Sequence, residues 1–136
     1  VDKFAYSDDS RTTLSTGLPT NQPWSPTGMA DSGVAGYTLG GGAAHNIETT
    51  DVSKFAFPSD SRSTLGTGVS AASRHGSAMA DSGVAGYLAL GNSYFVGDLD
   101  AMNRFAFPSD TRSLFTMVVS RSKRAAAFAN CAALSP

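Results

Sequence analysis

Three aspartate–arginine pairs at one spacing, Asp9 with Arg11, Asp60 with Arg62 and Asp110 with Arg112, are the first residues here whose types could do chemistry. A carboxylate two residues from a guanidinium could hold a proton or orient an anion. Their recurrence argues against it. A catalytic pair is needed once, whereas a turn-pinning aspartate and an arginine that bridges two structural units are needed in every unit. We read the pairs as structural.

The remaining reactive residues assemble into no known constellation. His45, His75 and Cys131 have no metal-ligand spacing. Asp98 and Asp100 form an Asp-x-Asp that could offer oxygens to calcium, but the further ligands and closing glutamate of an EF-hand loop are missing, so an ordinary acidic loop is expected. Serines are plentiful, yet no Gly-x-Ser-x-Gly elbow occurs. The expectation is a protein that is not an enzyme and has neither cofactor nor metal. Trp24, flanked by Pro23 and Pro26, has two readings: a ring that stacks on a sugar or anchors a protein, or a plug packed on a sheet edge. The basic group Arg121, Lys123 and Arg124 could dock an acidic partner, though solvated loop charges are the commoner case.

The elements that must position these residues are repeated. Met29–Tyr37 (MADSGVAGY) recurs unchanged as Met79–Tyr87, and Phe4-Ala5-Tyr6 returns as Phe55-Ala56-Phe57 and Phe105-Ala106-Phe107. A period of about 50 residues indicates a modular array. Turn residues divide each copy into four short strands and helix signals are nearly absent. In the complete copy, strand a covers about Ser77 to Ala80, b Val84 to Leu90, c Met102 to Phe107 and d Arg112 to Val118. Phe105 and Phe107 share one face of strand c and are expected in the core. Asp110 in the Pro108-Ser109-Asp110-Thr111 turn is expected to make an Asx bond. Four antiparallel strands per 50-residue repeat are what a β-propeller blade requires, with a solenoid ranked second. The predicted fold is all-β, propeller-like, in tandem four-stranded antiparallel blades. The division is a partial blade with strands c and d at 1–20, full blades at 21–70 and 71–120, and a degenerate terminal strand at 121–136.

Composition narrows the partners. With 41% hydrophobic and 15% charged residues the 136-residue chain is globular in composition. A formal charge of -1 supplies no clustered basic surface for nucleic acid. The single Cys131 rules out an intrachain disulfide, and no run of 18 apolar residues predicts a membrane span. The chain starts at Val1 with no signal-peptide pattern, which reads as a processed, excised or partial product and leaves the compartment open, a virion or extracellular setting included.

The Gly-Tyr entering strand b, the Gly40-Gly41 doublet closing it, the aromatic strand c running into Pro-Ser-Asp, and Arg74-His75 before strand a together resemble kelch-type propeller repeats, the group that includes the galactose oxidase propeller. The resemblance covers essentially the whole chain. It departs at Leu90-Gly91-Asn92, where a double glycine would sit, and at Leu14, Leu65 and Phe115, which replace the strand-d tryptophan. The oxidase's copper ligands and tyrosyl-cysteine crosslink have no matching residues. The FAFPSDTRSTL-like wording is also similar to repeats in uncharacterised bacterial and bacteriophage proteins, candidate virion components among them.

Comparing copies by rim separates constant from variable. The ab and cd turns, expected on one rim, scarcely change. The da and bc loops, expected together on the other, differ throughout: Trp24 against Arg74 and His75, and His45-Asn46-Ile47 against Tyr94-Phe95-Val96. Trp24, His45, Arg74, His75 and Tyr94 are therefore the candidate ligand-binding residues, unless the loops have merely drifted. The expected function is a structural or interaction protein displaying a binding rim to a protein partner or to itself, with a glycan-binding lectin as the rival. Two full blades and three further strands cannot close a ring, so the chain is expected to be a piece of a longer propeller or to associate as a homo-oligomer.

Overall fold

The computed structural model describes residues 1–5, 7–89 and 91–116. Every regular element among them is a β-strand, and every pairing is antiparallel. The expected end of strand d, the basic group at Arg121 to Arg124, Cys131 and the a-like stretch from Ala125 to Ala133 lie outside the described residues.

The chain opens with a two-stranded ribbon, β1 (Asp2–Phe4) and β2 (Arg11–Thr13). Next comes a four-stranded sheet of β3 (Thr27–Asp31), β4 (Ala35–Leu39), β7 (Val52–Ala56) and β8 (Ser61–Thr64), interrupted by a short hairpin of β5 (Gly42–Ala44) and β6 (Ile47–Glu48). The second sheet repeats this plan with β9 (Ser77–Asp81), β10 (Ala85–Ala89), β13 (Ala101–Ala106) and β14 (Thr111–Thr116). Its inserted hairpin is β11 (Asn92–Ser93) with β12 (Gly97–Asp98). Both sheets run in simple up-and-down order, and Met29 pairs with Tyr37 as Met79 pairs with Tyr87. The described strands close no ring.

The expected strands b, c and d are displaced by one residue at their starts, an ordinary margin for element ends. The inserted hairpins are the larger departure. Strands of two or three residues are too short to show the alternating pattern by which strands are read, so these segments read as loops.

The sheets meet along β3 and β9, and the core lies between them. Ala35, Tyr37 and Leu39 alternate inward along β4, while Leu88 and Phe105 fill the facing sheet. Phe105 is fully buried and Phe107 is 6% exposed, as their shared face requires. In the first sheet Phe55, the counterpart of Phe105, is also buried at 7%, whereas Phe57, the counterpart of Phe107, is 40% exposed beside the two-stranded β1–β2 ribbon, and Phe4 on that ribbon is 60% exposed. Gly86 lies where the two sheets approach closely. A Cβ there would overlap the Met29 thioether and sit 3.1 Å from Phe107 Cζ, so a larger residue would force the Met29 side chain to move.

One buried polar link is built in two ways. In the first sheet the fully buried Gln22 reaches from its loop to Ser53, whose hydroxyl donates to Oε1 at 2.7 Å, and Gln22 Nε2 donates to the carbonyls of Gly40 and Asp51. In the second sheet the long side chain is on the strand: Asn103 Oδ1 accepts from the Ser70 N–H at 2.9 Å and its Nδ2 donates to Ser70 Oγ at 3.1 Å. In each case the buried amide finds partners, as burial demands.

The recurring Asp–Arg pairs do not bond to each other in the two full repeats. Arg62 donates to the Gly17 carbonyl and Arg112 to the Gly68 carbonyl, each reaching back to the preceding repeat. The expected Asx bond from Asp110 is corrected: Asp9, Asp60 and Asp110 all occupy the left-handed region at φ 55, a conformation aspartate tolerates. The residue before each does the local bonding instead, Asp8 to the Ser10 N–H and Ser109 to Ala106 O and Thr111 Oγ1. Freed from its turn, the Asp110 carboxylate crosses to the first sheet. It accepts from Tyr37 Oη at 2.8 Å and Lys54 Nζ at 2.6 Å, while Phe107 stacks on the Tyr37 ring at 5.4 Å.

This junction titrates at high pH. Burial first, and then the bond to Asp110, pushes the Tyr37 phenol up from 10.0 to about 12. Burial alone would lower the Lys54 ammonium, but the Asp110 and Tyr37 partners outweigh it and raise it above its ordinary value. Both groups favour folding in their protonated forms, so that contribution is complete below pH 10 and is lost as the pH rises through about 12. Replacing Tyr37→Phe should cost about 1 to 2 kcal/mol at neutral pH by urea denaturation. It should also flatten the fall in stability between pH 10 and 12; an identical fall in both proteins would exclude Tyr37 as its source.

Candidate functional site

Glycines at the end of β4 set up the variable rim. Gly40 and Gly41 adopt φ of 59° and 84°, turning the chain out of the sheet and into the β5–β6 hairpin. There Gly42 exchanges backbone hydrogen bonds with Trp24, at 2.9 and 2.8 Å. Arg74 and Asn92 make the same reciprocal pair one repeat later, at 2.9 and 3.0 Å. Trp24 and Arg74 are thus the same position in successive repeats, each followed by a left-handed residue, Ser25 and His75. The da loops and bc hairpins share one rim, as their variability suggested.

Buried charge joins the two repeats on this rim. The Arg74 guanidinium meets Glu48 at 3.3 Å, donates to the His45 carbonyl at 2.7 Å, and donates to Asn92 Oδ1 from Nη2 at 3.3 Å. Glu48 also accepts from Ser93 Oγ at 2.8 Å and the Tyr94 N–H at 2.9 Å. Its side chain is fully buried and that of Arg74 is 9% exposed. A carboxylate on the first hairpin therefore holds both the loop and the hairpin of the next repeat.

Rings spread outward from that strut. The Arg74 guanidinium lies 5.1 Å from the Trp24 ring and 5.9 Å from the Tyr94 ring. His45 packs against Trp24 at 5.3 Å and edge-on to Tyr94 at 5.1 Å, and His75 meets Trp24 at 6.1 Å. All five residues singled out from the sequence, Trp24, His45, Arg74, His75 and Tyr94, fall in one patch. Trp24 is half-buried, neither a free ring nor a sealed plug. Phe95 extends the patch from Tyr94 at 5.3 Å and is 73% exposed, beside Val96 at 70%.

Sequence reading missed Glu48, Asn92 and Phe95. One signal was present for the first: Glu48 is the chain's single glutamate. Asp98 accepts from Asn92 Nδ2 at 3.1 Å inside its own hairpin. Among the described residues no three His, Cys, Asp or Glu side chains gather to hold a metal ion. What the arrangement offers a partner is exposed aromatic surface bordered by two imidazoles, suited to stacking and hydrogen bonding. No helix among the described residues is long and apolar enough to cross a membrane. Neither a known protein-family model nor a curated protein matches the chain.

Glu48→Ala removes the only carboxylate beside Arg74 among the described residues and strands a buried guanidinium. It should destabilise the fold by about 3 to 5 kcal/mol in urea denaturation. The Tyr94 amide should lose its protection from hydrogen exchange, whereas retained protection would show the strut to be dispensable.

Proposed function

We propose that the chain is a non-enzymatic interaction protein that uses kelch-like propeller blades as a rigid platform and grips a protein partner with the aromatic patch around Trp24. One observation carries this reading: the residues that differ between otherwise matching repeats converge in space. Trp24 and His45 come from one repeat, Arg74, His75 and Tyr94 from the next, and each touches another member of the set. Loops that had only drifted would have no reason to interlock around a shared buried ion pair. The exposed Phe95 and Val96 beside it form the apolar centre that protein interfaces favour, with Trp, Tyr and Arg as anchors. A virion or cell surface is the setting in which such a display platform would serve.

The lectin reading draws on the same half-exposed rings, since aromatic faces stack on sugars. Successive repeats weaken it. The position that carries Trp24 in one repeat carries Arg74 in the next, so the patch is built once rather than once per repeat.

A photo-crosslinking amino acid at Phe95, introduced in the producing host, should trap a discrete protein partner. Trp24→Ala should weaken that complex by roughly thirtyfold, the loss expected for an interface anchor. Retention on a glycan array that disappears in Trp24→Ala would replace the protein partner with a sugar. Neither crosslink nor glycan retention would remove the binding role from this patch.

A further inference from the structure

One contact joins successive repeats and is used twice. Lys3 on β1 reaches Asp60 of the next repeat at 2.8 Å, and Lys54 reaches Asp110 of the repeat after at 2.6 Å. In both cases a cation on the third strand of one repeat meets the left-handed aspartate in the turn of the next. The second instance adds the Tyr37 phenol and the stacked Phe107.

The sequence provides a third cation and a third aspartate for the same contact. Arg104 stands where Lys3 and Lys54 stand, immediately before Phe105, and its guanidinium lies 6.0 Å over the Tyr87 ring as Lys54 lies 5.4 Å over Tyr37. Asp9 has the same φ of 55° as Asp60 and Asp110 and sits on an exposed turn. Among the described residues Arg104 meets no carboxylate and Asp9 meets no cation. The outer face of the second sheet therefore carries the socket, and the β1–β2 turn carries the plug that fits it.

Packing at the plug end agrees. A cavity of about 930 Å³ opens between the β1–β2 ribbon and the first sheet, lined in part by Met29, Gly33, Gly36 and Phe57. Its counterpart between the two full sheets is filled: Gly86 is crowded by Met29 and Phe107, whereas Gly36 faces only Phe57. The ribbon leaves apolar surface for a neighbour to cover as well as a charge to neutralise.

We propose that a second copy of this chain docks head to tail, seating the Asp9 turn of one molecule on Arg104 and Tyr87 of the other. The contact between molecules then repeats the contact within each. Such an interface is heterologous, so copies join into a ring if the rotation closes and into a filament if it does not. The docking contact shares no residue with the partner-binding patch.

Native mass spectrometry and light scattering of the full 136-residue chain test it. The parent should form multimers, and Asp9→Arg or Arg104→Asp alone should raise the dissociation constant at least about tenfold. An equimolar mixture of the two variants should recover the multimers. The reversed charge at position 9 of one variant then faces the reversed charge at position 104 of the other, while the unaltered Asp9 and Arg104 still pair at alternate junctions. A parent that stays monomeric overturns the proposal. So do multimers indifferent to both reversals, or a mixture that fails to recover.

Discussion

A 50-residue unit of four short strands cannot bury its own sheet. Everything else follows from how each sheet borrows cover from the next. The Tyr37–Lys54–Asp110 junction is where that dependence is visible. A turn aspartate leaves its own repeat, enters the neighbouring one, and is met by a phenol and an ammonium while an aromatic ring stacks behind it. The hydrophobic core is shared in the same sense, with Leu39 and Val52 from one sheet packed in the same cluster as Leu88 and Phe105 from the other. Stability in such a molecule is a property of junctions more than of units.

That constraint explains which parts of the repeat stay constant. The ab turns are stitched together: Asp31 accepts from the Gly83 N–H at 2.7 Å, and the Ser32 N–H donates to Ser82 Oγ at 2.9 Å. The first turn supplies a carboxylate acceptor and an N–H donor and the second a hydroxyl acceptor and an N–H donor, so a change in either copy disturbs this junction. The opposite rim is under less constraint of this kind. It nevertheless has its own junction, Glu48 with Arg74, and this one is asymmetric because the position of Arg74 in the other repeat carries Trp24. Burying an ion pair carries a desolvation cost that limits what it adds to stability, so its clearer effect is to hold the two hairpins in one arrangement.

The polar core shows that repeats can diverge while preserving a link. Gln22 with Ser53 and Ser70 with Asn103 join the same loop and strand, with the long side chain moved from one partner to the other. Both amides stay fully buried, and in each link the strand side chain donates to the loop side chain, Ser53 Oγ to Gln22 Oε1 and Asn103 Nδ2 to Ser70 Oγ.

Much of this was legible in the sequence because it depends on local rules. Exact repetition of MADSGVAGY located the repeating unit, turn residues divided it into strands, and alternation assigned Phe105 and Phe107 to the core. Variation between copies picked out Trp24, His45, Arg74, His75 and Tyr94, and the structure brings those five together. The short hairpins were not legible, since two or three residues per strand carry no period. Nor were the partners of side chains that act across repeats. The carboxylate of Asp110 belongs by spacing to its own turn and by geometry to Tyr37 and Lys54, residues 73 and 56 positions away. Glu48 likewise gains its role only from a guanidinium that the fold brings from the next repeat. Sequence determined the unit, because strand and turn preferences act over a few residues. Tertiary structure decided the junctions, because pairing between distant charges exists only after the sheets have packed.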